Sequence, residues 1–169
     1  TAEQTFQLQA PEGPDGQAFT IVSGAFDGVG AGGDHNIGLA ETFALELNDD
    51  VPPVITNITL LNSDGAPAQP AVGGTVRLGV SATETFGSFA RIQLRIDDQT
   101  GTTAAESEVE RFDPVQPELS AYASPTVLQL PNPNTLRATD DWTARVTLWD
   151  DATPPNAVSA TLGFVPLDG

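Results

Sequence analysis

The sequence predicts an all-β chain, an antiparallel sandwich of about seven strands preceded by a set of about three more. Three observations predict it. Apolar and polar residues alternate with period two in nearly every segment between turn signals, and helical periodicity is almost absent. Gly 16 and Pro 14 punctuate the 169 residues often enough to keep each segment short.

The first 49 residues read as an incomplete set of strands. An alternating strand through Phe6 and Leu8 enters a turn at Pro11, Gly13 and Pro14, and a second strand from Phe19 to Phe26 ends on Asp27. A Gly-rich loop carrying Asp34, His35 and Asn36 then leads to a last strand that closes on Leu45 and Leu47. The same grammar returns near the C-terminus, where Leu128 and Leu130 precede Pro131 and Pro133, and the strand Trp142 to Trp149 ends on Asp150. In both places an aromatic is followed seven positions later by a second aromatic and then an aspartate. If the later copy closes a domain, the earlier one lacks its opening strands.

Residues 50–169 supply what looks like a whole sandwich. Its first strand is Val54 to Leu61, reached through Asn48-Asp49-Asp50-Val51-Pro52-Pro53, where two prolines hold an extended, stiff linker. Two strands follow, over 75–84 and 89–97. In the first Val76, Leu78, Val80 and Ala82 share a face; in the second Ala90, Ile92, Leu94 and Ile96 do, opposite Arg91, Gln93, Arg95 and Asp97. A weaker strand runs from Glu106 to Phe112 and another from Tyr122 to Leu130. The closing pair alternates Trp142, Ala144, Val146 and Leu148, then Val158, Ala160, Leu162 and Phe164. Roughly seven strands with frequent turns is the pattern of an Ig-like sandwich.

The run Leu45-Glu46-Leu47-Asn48-Asp49-Asp50-Val51-Pro52-Pro53-Val54-Ile55 resembles the junction of tandem cadherin-like and other Ig-like repeats on microbial cell surfaces. Such junctions end one domain on a hydrophobic strand, place Asn and Asp in the linker and start the next with Pro and an aliphatic residue. The resemblance implies an extracellular or cell-surface location and a role as adhesin, surface-layer protein, filament subunit or accessory domain. It also implies calcium at Asn48, Asp49 and Asp50, shared with acids of the preceding domain.

Composition excludes several classes. Asp+Glu 23 against Lys+Arg 6 gives a net charge of -17, and all the basic residues are Arg. Phosphate neutralisation needs a basic patch, so a nucleic-acid partner is excluded, as is an anionic membrane surface. No apolar run approaches the roughly 20 residues needed to span a bilayer, so no membrane insertion is expected. Cys 0 removes disulfides, thiol nucleophiles and thiolate metal sites. A chain that starts at Thr1 without Met is expected to be a processed or excised product.

Catalysis has little material. One histidine, His35, one tyrosine, no cysteine and no lysine leave no base and orienting group for nucleophilic chemistry. Calcium is the more serious ligand, since carboxylates and Asn side chains cluster at strand ends. The sets are Asp27, Asp34 and Asn36; Asn48, Asp49 and Asp50; Asp97 and Asp98; Asp140 and Asp141; and Asp150 and Asp151. Turn chemistry explains the same residues. Tyr122 and Trp149 are candidates for a sugar-stacking platform, with Trp149 on the polar side of its strand, although covering a sandwich edge explains them equally. Asn57-Ile58-Thr59 is a glycosylation sequon.

These readings converge on a non-enzymatic extracellular subunit that self-assembles by strand sharing into a surface filament or layer. About three strands cannot bury enough surface alone to offset the entropy of ordering them, so they must find a sheet, and the segment at Phe6 and Leu8 is the natural donor. The expected partners are other copies or neighbouring surface domains. The alternatives are a calcium-stiffened spacer or adhesion module of a larger protein, and a carbohydrate-binding accessory domain.

Overall fold

The computed structural model describes residues 18–23, 41–46, 48–131 and 141–167. Two units divide the chain, Thr1–Asp49 and Asp50–Gly169. In the first, strand β1 (Ala18–Ser23) pairs antiparallel with β2 (Glu41–Glu46), in register from Ala18 opposite Glu46 to Ser23 opposite Glu41. Among the described residues these strands pair only with each other. The donor segment at Phe6 and Leu8 lies outside the described residues.

The second unit is a sandwich of two antiparallel sheets built from β3 (Val54–Leu61), β4 (Thr75–Thr83), β5 (Phe89–Asp97), β6 (Thr103–Glu106), β7 (Glu110–Gln116), β8 (Leu119–Ala123), β9 (Leu128–Gln129), β10 (Trp142–Asp150) and β11 (Ala157–Phe164). One sheet has the order β11-β10-β5, with β6 and β7 both on the far side of β5. The other has the order β3-β4, with β8 and β9 both beside β4. Thus β6 with β7, and β8 with β9, are each one strand position broken in the middle, and the nine strands fill seven positions.

The core lies between the sheets and follows the period-two pattern. From β4 it takes Val76, Leu78, Val80 and Ala82, from β5 Ile92, Leu94 and Ile96, and from β10 Trp142, Ala144, Val146 and Leu148, none more than 2% exposed. Each large side chain buried in this way contributes about 1.5–3 kcal/mol. One phase differs from the expectation. Phe89 is fully buried and Ala90 is not, because β5 shifts register at its start against both β10 and β7. The bulge lets Phe89 and Ile92 face inward together.

The two weak strands are broken for identifiable reasons. Between β6 and β7 the Ser107 hydroxyl accepts the Leu94 N–H at 3.0 Å while Ser107 N–H donates to Leu94 O at 2.8 Å, so one side chain replaces a ladder bond. In β8 the pairing jumps from Val80 opposite Tyr122 to Ala82 opposite Leu119. The extra residue there is accommodated by Ala121 at φ 52, a left-handed conformation that normally belongs to glycine. Gly101 at φ 79 closes the β5–β6 turn, where its N–H donates to Asp98 O. Leu167 ties the C-terminal segment down through reciprocal backbone bonds with Pro70 and Val72, each at 2.9 Å.

Candidate functional site

Two features stand out on the second unit, a strand edge that carries neither charge nor proline and an arginine-bearing sheet face. The edges β3 and β11 lie on one side of the sandwich, and the broken positions β6/β7 and β8/β9 on the other. Strand β11 pairs with β10 without a register shift, from Ala157 opposite Trp149 to Phe164 opposite Trp142. Its eight residues, AVSATLGF, contain no charge and no proline, in a chain that is 17% charged. Neighbouring β3, VITNITLL, is equally uncharged. Between them runs an uncharged groove of about 250 Å³, lined by half-buried Ile55, Ile58 and Leu162 and by Thr56, Asn57 and Thr161. The opposite side is protected by short pieces of strand, by Glu110, Arg111, Asp113 and Pro114 in β7, and by the bend at Ala121.

The outer face of the five-stranded sheet carries most of the basic residues. Arg91 and Arg95 alternate with buried Ile92, Leu94 and Ile96 along β5 and so point outward. Register places Trp149, Arg91 and Arg111 in one row across the sheet, and Arg145 opposite Arg95 in another. Asp97, with its side chain 3% exposed, forms ion pairs with both Arg95 and Arg145. The Arg91 guanidinium carbon lies over the Trp149 ring, 5.4 Å from its centroid, a cation–π contact. Neither Arg91 nor Arg111 forms an ion pair among the described residues. They line a cleft of about 360 Å³ with Ala90, Val115, Asp151 and other residues of the β10–β11 loop. Sequence reasoning missed this row. Its only trace there is the Arg91/Arg95 alternation, and Arg111 joins it only through strand register.

Several of the acids predicted to bind calcium hold loops together through hydrogen bonds. Asp150 is 1% exposed; its Oδ1 accepts from Asn156 N at 2.7 Å and Ala152 N at 3.2 Å, and its Oδ2 from Asn156 Nδ2 at 2.8 Å, which staples the β10–β11 loop. Asp151 Oδ1 accepts from Ser88 N at 2.8 Å. Asp98 Oδ1 accepts from Thr100 Oγ1 at 2.7 Å, Thr100 N at 2.8 Å and Thr102 N at 3.0 Å. The Thr100 hydroxyl above all holds its carboxyl below the ordinary carboxylate value. In the linker Asp49 is buried while Asn48 and Asp50 are exposed, and Asn48 and Asp49 both have partners. Among the described residues no three His, Cys, Asp or Glu side chains gather as a metal site. Asp27, Asp34, Asn36, His35 and Asp140 lie outside the described residues.

The sugar platform is not assembled as expected. Tyr122 packs inward on the core and meets Phe112 edge-on, with centroids 5.3 Å apart. Trp149 alternates with buried Leu148 and faces out from the other sheet. Asn57 is exposed on β3 beside the groove, and its Nδ2 donates to Thr59 Oγ1 at 3.0 Å, so the sequon sits in a strand. No helix among the described residues is long and apolar enough to cross a membrane. By its strand order the second unit is an antiparallel β-sandwich. No protein-family model, curated protein or solved structure matches the chain.

Proposed function

We propose that this protein is a non-enzymatic structural subunit of the cell surface that assembles by strand sharing, with the β11 edge as acceptor and the segment at Phe6 and Leu8 of another copy as donor. The observation that carries the reading is the charge-free, proline-free β11 beside an uncharged groove. Soluble sandwiches blunt exposed edges with charge, proline or irregularity, and this one does so only on its other side. An incoming strand would continue the hydrogen-bond ladder of β11 while alternate side chains enter the groove at Ile55, Ile58 and Leu162. A head-to-tail contact of this kind, where its rotation does not close a ring, builds a filament.

Deleting residues 1–10 tests the reading by light scattering and electron microscopy. Intact protein is expected to assemble, and to do so more readily with salt, which screens the repulsion between chains of charge -17. The truncated protein is expected to keep its circular dichroism and stay monomeric. Intact protein that stays monomeric at high concentration and high salt, or truncated protein that assembles equally well, leaves the spacer-module reading in its place.

A further inference from the structure

We propose that the cleft between Arg91, Arg111 and Asp151 binds a sugar acid, a carboxylate carried on a hydroxylated ring. Arg91 and Arg111 are directly opposite on β5 and β7. Like charges in that relation repel, and the fold cancels the equivalent pair, Arg95 and Arg145, with Asp97. With 23 acidic residues to draw on, the chain leaves Arg91 and Arg111 without such a counter-ion among the described residues. That arrangement suits an anion supplied from outside.

The surroundings refine which anion. The cation–π contact with Trp149 steadies the Arg91 guanidinium, whose fork of N–H donors suits a carboxylate. Ala90 and Val115 add small apolar surface, suited to the C–H face of a ring. Asp151, engaged at Oδ1 by Ser88, borders the same cleft and adds an acceptor for hydroxyl groups. It also repels a second negative charge. The buried Asp150 carboxylate is already occupied by Asn156 and Ala152 and adds no acceptor. A volume of about 360 Å³ falls in the range of small-ligand sites. A neutral sugar leaves the arginines uncompensated, and a dicarboxylate meets Asp151. One carboxylate beside several hydroxyls satisfies all of these groups, whether the sugar is free or a residue within an acidic polysaccharide.

The site is independent of strand sharing, and its test uses full-length protein at low salt. Calorimetry with D-glucuronate is expected to show saturable binding, with D-glucose giving none. Arg111→Gln is expected to weaken glucuronate at least about tenfold, the scale of a lost charge-assisted contact. Arg145→Gln on the same face controls for general charge and should leave binding within about twofold. Asp151→Asn is expected to admit malonate, which the parent rejects. A parallel titration with polygalacturonate separates the sources: tighter binding per uronate than for the monosaccharide assigns the polymer, and equal binding assigns the free acid. Thermal melts confirm that each variant is folded. Glucose binding as well as glucuronate, equal losses from Arg111→Gln and Arg145→Gln, or no saturable binding in either arm would overturn the assignment.

Discussion

Arg95 and Arg145 stand directly opposite each other on β5 and β10, and the Asp97 carboxylate is the anion that both contact. Removing that anion leaves two guanidiniums facing each other. Asp97→Asn is therefore expected to lower stability by about 1–3 kcal/mol in urea denaturation. This is less than for a fully buried pair, because the two arginine side chains are 33% and 44% exposed. Adding Arg145→Gln should restore part of the loss, and a double variant no more stable than Asp97→Asn alone would show that the repulsion is negligible.

Ala121 holds a left-handed backbone at φ 52 in the β8 irregularity, exposed, with its N–H donating to Ser81 Oγ at 3.0 Å. That conformation costs a residue with a Cβ about 1–2 kcal/mol, against which glycine loses some unfolded-state entropy. Ala121→Gly is expected to raise stability by up to about 1 kcal/mol, read as a higher urea midpoint at unchanged m-value. A lower midpoint would refute the strain.

Tyr122 is the chain's single tyrosine, so ultraviolet titration of phenolate reads it alone. Burial first, and then the charge of Glu110, push its hydroxyl above the ordinary value of 10.0, with Arg77 opposing. The folded state thus favours the neutral phenol. Its stability is expected to fall as pH rises from about the unfolded value toward the folded one, where the unfolded chain ionises first. Glu110→Gln should lower the titration midpoint, and an unmoved midpoint would remove Glu110 as a cause.

Thr161 is exposed on β11 opposite Arg145. Thr161→Glu places a charge on the edge strand while giving Arg145 a second acidic neighbour besides Asp97, so the fold should keep or slightly gain stability. Assembly is expected to be lost, because an incoming strand would have to bury that charge. Filaments from a well-folded Thr161→Glu protein would move the acceptor away from β11.

Period-two alternation made most strands legible, since β4, β10 and β11 need only one buried face each, and their inward residues follow from the sequence pattern. The breaks were not legible. That Ser107 caps Leu94 from thirteen residues away, or that an alanine takes a glycine's conformation at 121, depends on pairing partners that no local window contains. The phase of Phe89 was hidden for the same reason, because a bulge is a property of two strands. For the candidate site the difficulty was different. Aspartates at strand ends are good turn residues and good calcium ligands alike, and only their hydrogen bonds assign Asp150 and Asp98 to turns. The Arg91–Arg111 row exists only once register is known.

On the strand-sharing proposal, the contrast between the broken β6/β7 and β8/β9 side and the continuous β3/β11 side would give each subunit a single adhesive flank. A particle with one acceptor and one donor has a valence of two and cannot branch. Its polymers are polar, with chemically different ends. A copy lacking residues 1–10 would still offer β11, so it would act as a chain terminator, and mixing small fractions of it into intact protein would shorten filaments in proportion to its share rather than dissolve them.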